Sequence, residues 1–269
     1  AHTGNETYAK VIEKIDASHN VLIALSGDPS VDELCAAIGL SLFLDKLGKR
    51  ATAIYSGTTP NALEFLKPED TFEPSADVLQ DFVIALSKEK ADHLRYKLDG
   101  DYVKVYITPF HSKISQEDLD FSYGDYNVDL VIALNVANGI DLDSALREHG
   151  RIMHDAVIIN ITTGNPGKFG EIEWSEKKSS SVSEMIARFL YSVKTDVQLG
   201  KEDATAFLTG IPFDAAYSTS MLFTPVAAMQ ISFRFGAESI SSLFTRTLLI
   251  MSTSISLTLS FASSGVEVG

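Results

Sequence analysis

The sequence predicts an α/β fold: a doubly wound, mostly parallel sheet flanked by helices, with a β-hairpin insertion. Three observations carry this reading. Apolar-rich runs recur at 21–25, 128–134 and 156–161, as in strands buried on both faces of a parallel sheet. Between them lie amphipathic stretches that suit crossover helices. The stretch at about 82–110 switches to alternation around Asp99-Gly100, a hairpin signal.

The elements follow in order. Tyr8, Val11, Ile12 and Ile15 fall on one face of a helix over 5–17. A strand over Val21–Leu25 follows, then a helix carrying Leu34, Ile38, Phe43, Leu44 and Leu47. Ser30 and Glu33 have capping-box spacing at its start, and Gly48 suits its end. Arg50–Tyr55 completes a β-α-β unit. Phe82–Leu86 reads as a strand, and Leu94, Tyr96, Leu98 alternate with charges, as do Val103, Val105, Ile107. Two more buried strands, Val128–Leu134 and Ala156–Ile161, bracket a helix over about 141–149 that Gly150 ends. Ser181 and Glu184 repeat the capping-box spacing before a helix to about Tyr191. Lys201–Leu208 and Pro225–Phe235 read as helical, and Ile255, Leu257, Leu259, Phe261 alternate as in a half-buried strand. The expected organisation is one α/β domain over 1–240, holding the insertion, and a helix/strand extension over 241–269.

Composition narrows the function. The 269 residues are 45% hydrophobic and 22% charged, ordinary for a globular chain. Thirty-six acids against 22 bases give a formal charge of −14, which repels phosphate backbones and anionic lipid. Non-specific nucleic-acid binding and membrane association are therefore not expected. One cysteine, Cys35, excludes an intrachain disulfide and reads as buried. The run 247–265 is too rich in Ser and Thr for a membrane span, so a cytoplasmic location is the expectation. His2, His19, His93, His111, His149 and His154 have no metal-ligand spacing. No dinucleotide fingerprint, P-loop or nucleophile elbow is present.

Open α/β sheets hold ligands beyond the carboxyl ends of their strands. Four such turns stand out: Ser26–Asp32, Asn135–Asn138, Thr162–Phe169 and Gly210–Asp214. Their residues resemble, in order, the motifs of the DHH phosphoesterase family. VLIALSGDPSVDELCAAIGL followed by LDKLGKRATAI is similar to the first motif, and DLVIALNVAN to the second. INITTGNPGKFGEI followed by SSSVSEMI is similar to the third, and FLTGIPFDAA to the fourth. The match covers roughly 8–240, leaving no room for the family's second domain.

The resemblance implies a metal-dependent hydrolase, but the ligand positions have changed. Ser26 stands for the family's His, Ser30 for the first Asp of its pair, Asn135 for the second motif's Asp, and Thr162-Thr163-Gly164 for the DHH triplet. Asp32 and Asp214 remain as candidate ligands or catalytic groups. Ser and Asn offer neutral oxygens, which suit a pair of divalent ions poorly. The leading reading is thus an inactive relative serving as a binding or assembly module with no cofactor. Its candidate ligand-binding residues are Ser26, Asp28, Ser30, Asn135, Thr162, Thr163 and Gly164. Its partners are a small phosphorylated ligand, a protein or another copy of itself, the last through strand addition by 254–261. The alternative is an active phosphoesterase on small nucleotides or short oligonucleotides, using Mn or Mg. Each residue also has a plainer role: Asp32 favours a helix start, and the asparagines shape turns.

Overall fold

Burial of side chains on both faces marks the central strands of a six-stranded sheet. The computed structural model describes residues 3–193 and 197–215, with side chains placed for 6–193 and 197–211. The helix at Pro225–Phe235, the strand at Ile255–Phe261 and the extension at 241–269 lie outside the described residues. Among the described residues, no helix is long and apolar enough to cross a membrane.

The elements are α1 (Thr3–Ala17), β1 (Asn20–Ala24), α2 (Val31–Lys46), β2 (Arg50–Ile54), β3 (Phe72–Glu73), β4 (Gln80–Leu86), β5 (Ala91–Asp99), β6 (Tyr102–Pro109), β7 (Leu119–Tyr126), β8 (Leu130–Leu134), α3 (Ser144–Arg147), α4 (Gly150–Asp155), β9 (Val157–Thr163), β10 (Ile172–Glu176), α5 (Val182–Ser192) and α6 (Lys201–Ala215). The sheet order is β10-β9-β8-β1-β2-β3, and every pairing in it is parallel. The chain steps outward from β1 through β2 on one side and from β8 through β9 on the other. That reversal is the doubly wound pattern.

On one face, Val21, Ile23, Leu25, Leu130, Ile132, Leu134, Ile159 and Ile161 join a core with Val11, Ile15, Phe43, Met185, Phe189 and Phe207. On the other, Leu22, Ala24, Val131 and Ala133 are fully buried as well. Continuous burial on both faces explains why these strands lack alternation. Tyr8, Trp174 and Phe189 form a three-ring edge-to-face cluster, with centroids 5.1–5.2 Å apart. Helix α6 runs antiparallel along α2: Lys46, near the end of α2, pairs with the buried Asp203 near the start of α6 at 2.9 Å.

Several sequence expectations need correction. The single helix at 141–149 is two short helices, α3 and α4. Asp143 caps the first through the Ala145 amide, and Gly150 opens the second instead of ending the first. The capping box at Ser181 is half made: Ser181 accepts from the Glu184 amide, but the Glu184 carboxylate turns to Ser180. The hairpin loop is Gly100-Asp101, closed by the Asp99–Tyr102 pair, with Gly100 at φ +59° supplying the left-handed step. Strands β3 and β10 were not foreseen. The first has two residues, and the second interleaves Ile172 and Trp174 with Glu173, Ser175 and Glu176.

The insertion expected at 82–110 extends over Asp77–Asn127 and forms a unit of its own. Within it β4 pairs with β7 and β5 with β6, both antiparallel.

Gly39 of α2 lies where an added methyl would meet the Phe207 ring at 2.8 Å. Gly39→Ala should destabilise the fold by about 1–3 kcal/mol through overpacking, despite alanine's better helix propensity. Urea unfolding monitored by circular dichroism checks this.

Candidate functional site

The carboxyl ends of β1, β8 and β9 converge at the point where the strand order reverses. The chain leaves β1 through Ser26–Ser30, β8 through Asn135, and β9 through Thr163 and Gly164. The Gly27 amide donates to Asp141 O, and the Asp143 amide to Leu25 O. The loop after β1 is thereby stitched to the β8–α3 connection.

Asp32 sits in the first turn of α2 and is 1% exposed. Its carboxyl faces the start of α5. The Val182 amide donates to Oδ2 at 2.6 Å and the Ser183 amide to Oδ1 at 3.0 Å, while the Ser183 hydroxyl donates to the Asp32 carbonyl at 3.2 Å. A helix start leaves its first amides without partners in its own helix, and Asp32 supplies them from another helix. Gly210 of α6 packs against the same point. An added methyl there would meet Ser183 Oγ at 2.2 Å and Asp32 Oδ1 at 2.9 Å.

Asn135 has φ +51°, a left-handed conformation that Asn tolerates better than most residues. Its amide spans two strands' ends. Nδ2 donates to Glu33 Oε1 at 2.8 Å, and Oδ1 accepts from the Thr163 amide at 2.9 Å and its hydroxyl at 3.3 Å. Glu33 closes the capping box with Ser30 through its other oxygen, at 3.1 Å. Burial pushes the Glu33 carboxyl up to about 7, against the lowering by Asn135 and Ser30.

Beyond Asn135 and Thr163 opens a cleft of about 740 Å³. Asn135, Ala137, Asn138, Thr162, Thr163 and 165–168 line it, and Lys168 is the sole charged residue among them. The loop that carries Lys168 is held from beneath. Glu173 accepts from the Phe169 and Gly170 amides at 2.8 and 2.7 Å and from Asn160 Nδ2 at 3.0 Å. Asn160 also donates to Val136 O at 2.8 Å, tying the loop to the end of β8. An added methyl at Gly167 would meet Asn160 Nδ2 at 2.9 Å and Ala137 O at 3.0 Å, so this approach requires glycine.

The structure thus brings Ser30, Asn135 and Thr163 into one hydrogen-bonded system, with Glu33 as its centre. Thr162 is buried beside it and borders the cleft. Gly164, at φ +96°, accepts from the Ser175 hydroxyl. Ser26 forms a bridge with Leu142, and Asp28 is exposed; neither lines the cleft. Asp214 belongs to α6, and its side chain lies outside the described residues. Cys35 is buried, and burial raises its thiol further from ionisation. Sequence reasoning missed Glu33 as a site residue, reading it as a cap, and gave no weight to Lys168, Asn160 or Glu173. Asn160, an Asn within the apolar run of β9 and three residues before its end, was a usable signal. Lys168 carried none, because its position depends on the loop's path.

Among the described residues, no three His, Cys, Asp or Glu side chains gather where they could hold a metal ion.

No protein-family model matches the chain, and no curated protein matches it. Among solved structures it is similar to an exopolyphosphatase-related protein from Bacteroides fragilis, at 14% identity and a TM-score of 0.60. The likeness covers 90% of this chain and 60% of that one. It is a likeness of fold, and this chain spans about three fifths of its neighbour's length.

Two outcomes follow from the geometry. Asp32→Ala should destabilise the metal-free protein by about 3 kcal/mol, because two buried amides lose their acceptor; urea unfolding in the presence of a chelator measures it. Unaltered stability would mean that the clamp is not structural. Glu33 titrates near 7 when folded and near 4.5 when free. Its stabilising contribution is therefore complete below about pH 4.5 and is lost as pH rises through 7, by ~3 kcal/mol. Glu33→Gln should lack that loss, so the stability difference between native and variant, read from urea unfolding at several pH values, should change by ~3 kcal/mol between about pH 4.5 and 7.

Proposed function

We propose that this chain is a catalytically inactive, DHH phosphoesterase-like protein that binds a small phosphorylated ligand in the cleft beside Asn135 and Lys168, with no metal. One observation carries the reading: Asn135, which stands where the DHH resemblance places a metal-binding Asp, has its amide engaged by Glu33 and Thr163 at opposite ends. An amide in that position offers a neutral oxygen, and here the oxygen already accepts two hydrogen bonds. Asp32, the surviving acid of the first motif, turns its carboxyl to the α5 amides. Paired dications about 4 Å apart need several anionic ligands facing one point. These side chains do not fit that demand, so no catalytic step is assigned to a metal.

The cleft suits an anion. The one charged residue that lines it is Lys168, whose ammonium gives charge-assisted hydrogen bonds to phosphate oxygens; the Thr162 and Thr163 hydroxyls already donate within the rim. The fold shared with an exopolyphosphatase-related protein is compatible with phosphate recognition, while at 14% identity it lends the chain no activity. A local cationic group in a chain of net charge −14 also selects small anions over long polyanions, which the surrounding field repels.

Titration calorimetry with inorganic phosphate and with a nucleoside monophosphate, in chelator, tests the reading. Saturable binding is expected, weakened about tenfold in Lys168→Ala, which corresponds to one charge-assisted hydrogen bond. Tight uptake of two Mn²⁺ ions per chain, or Mn²⁺-dependent turnover of a short oligonucleotide, would restore the metal-dependent hydrolase as the better account.

A further inference from the structure

Among the described residues, the unit Asp77–Asn127 exposes two apolar faces: Phe82, Ile84, Phe121 and Tyr123 on the β4–β7 ladder, and a longer one on β5–β6. In the β5–β6 hairpin, Leu94 pairs with Ile107, Tyr96 with Val105 and Leu98 with Val103. Alternation places these six side chains on one face. Five of them are more than half exposed: Leu94 64%, Tyr96 72%, Leu98 69%, Val103 66% and Val105 51%. The opposite face is polar: His93, Arg95 and Lys97 lie across from Thr108, Tyr106 and Lys104. Arg95 rests 5.1 Å from the centre of the Tyr106 ring. The hairpin is therefore amphipathic, with each face in the place a buried sheet would need. A lone two-stranded hairpin is marginal in water unless its apolar face is covered.

We infer that this face is a self-association surface, which stacks on the same face of a second copy of the chain. Three features identify the occupant. The face is self-complementary: its centre is the Tyr96–Val105 pair, and a two-fold axis there sets apolar side chains against apolar side chains. It carries no charge, and residues 91–109 balance Asp92, Asp99 and Asp101 against Arg95, Lys97 and Lys104. Two copies that each carry −14 repel over most of their surface, and this neutral hairpin is a place where they can meet without that cost. The area also suffices. At these exposures, stacking two such faces removes roughly 1,000 Å² from water, the lower bound of a specific interface. Facing sheets stack at a spacing of about 10 Å, which lets the six side chains of each copy interdigitate.

The test is sedimentation equilibrium on the full chain at micromolar concentrations. The native protein should sediment as a dimer. Tyr96→Glu with Val105→Glu, both at exposed positions, should raise the dimer dissociation constant on the order of 100-fold. Lys97→Glu, on the polar face, should leave the dimer intact. Val105→Cys should cross-link as a dimer with a bismaleimide that spans the inter-sheet gap of about 10 Å, since the buried Cys35 does not compete. A monomeric native chain overturns the proposal, as does a dimer that survives the double substitution or a Val105→Cys chain that fails to cross-link as a dimer.

Discussion

One buried carboxylate organises the α/β unit. Asp32 leaves the first turn of α2 and accepts the leading amides of α5, with Gly210 of α6 packed close enough to forbid any side chain. Three helices meet at that point, at the carboxyl edge of the sheet. A helix start is a concentration of unpaired donors with a positive partial charge, so an anion buried there is stabilised where an isolated one would not be. The Lys46–Asp203 pair holds the other end of the α2–α6 contact. Between these polar ties the helices are joined by apolar packing around Phe43, Phe189 and Phe207.

The rim above this clamp depends on neutral groups. Asn135, Glu33, Ser30 and Thr163 are linked donor to acceptor across the ends of β8 and β9 and the start of α2. Glu33 is the one acid in that chain, and burial makes it costly to ionise. A rim built this way is stiff, because each amide and hydroxyl already has its partner. Lys168 is then the charged group left at the cleft, on a loop whose path Glu173 and Asn160 hold from below. The insertion unit works by different physics. Its β4–β7 ladder gathers Phe82, Phe121 and Tyr123 into an exposed aromatic cluster, and the apolar face of β5–β6 is exposed as well.

Much of the fold was legible along the chain. Strands β1, β8 and β9 and helix α2 show in the sequence because burial on both sheet faces demands unbroken apolar residues, and because Ser30 and Glu33 mark a start. The hairpin shows because its faces alternate and a glycine follows Asp99. Strand β3 is too short to show a period, and β10 gains strand character from its pairing to β9. The connection 141–155 misled because Asp143 and His149 start new helices where periodicity suggested one.

By itself, then, the sequence determined the α/β class, the amphipathic insertion, the acidic composition and the polar residues at the strand-end turns. All of these are properties of local pattern and composition, which need no knowledge of what lies across the core. Tertiary structure alone decided what those turn residues touch. Asp32 reaches amides 150 residues on, Glu33 meets Asn135 across 102 residues, and Asn135 meets Thr163 across 28. No periodicity records such distances, because a hydrogen bond depends on atoms brought within about 3 Å by the whole fold.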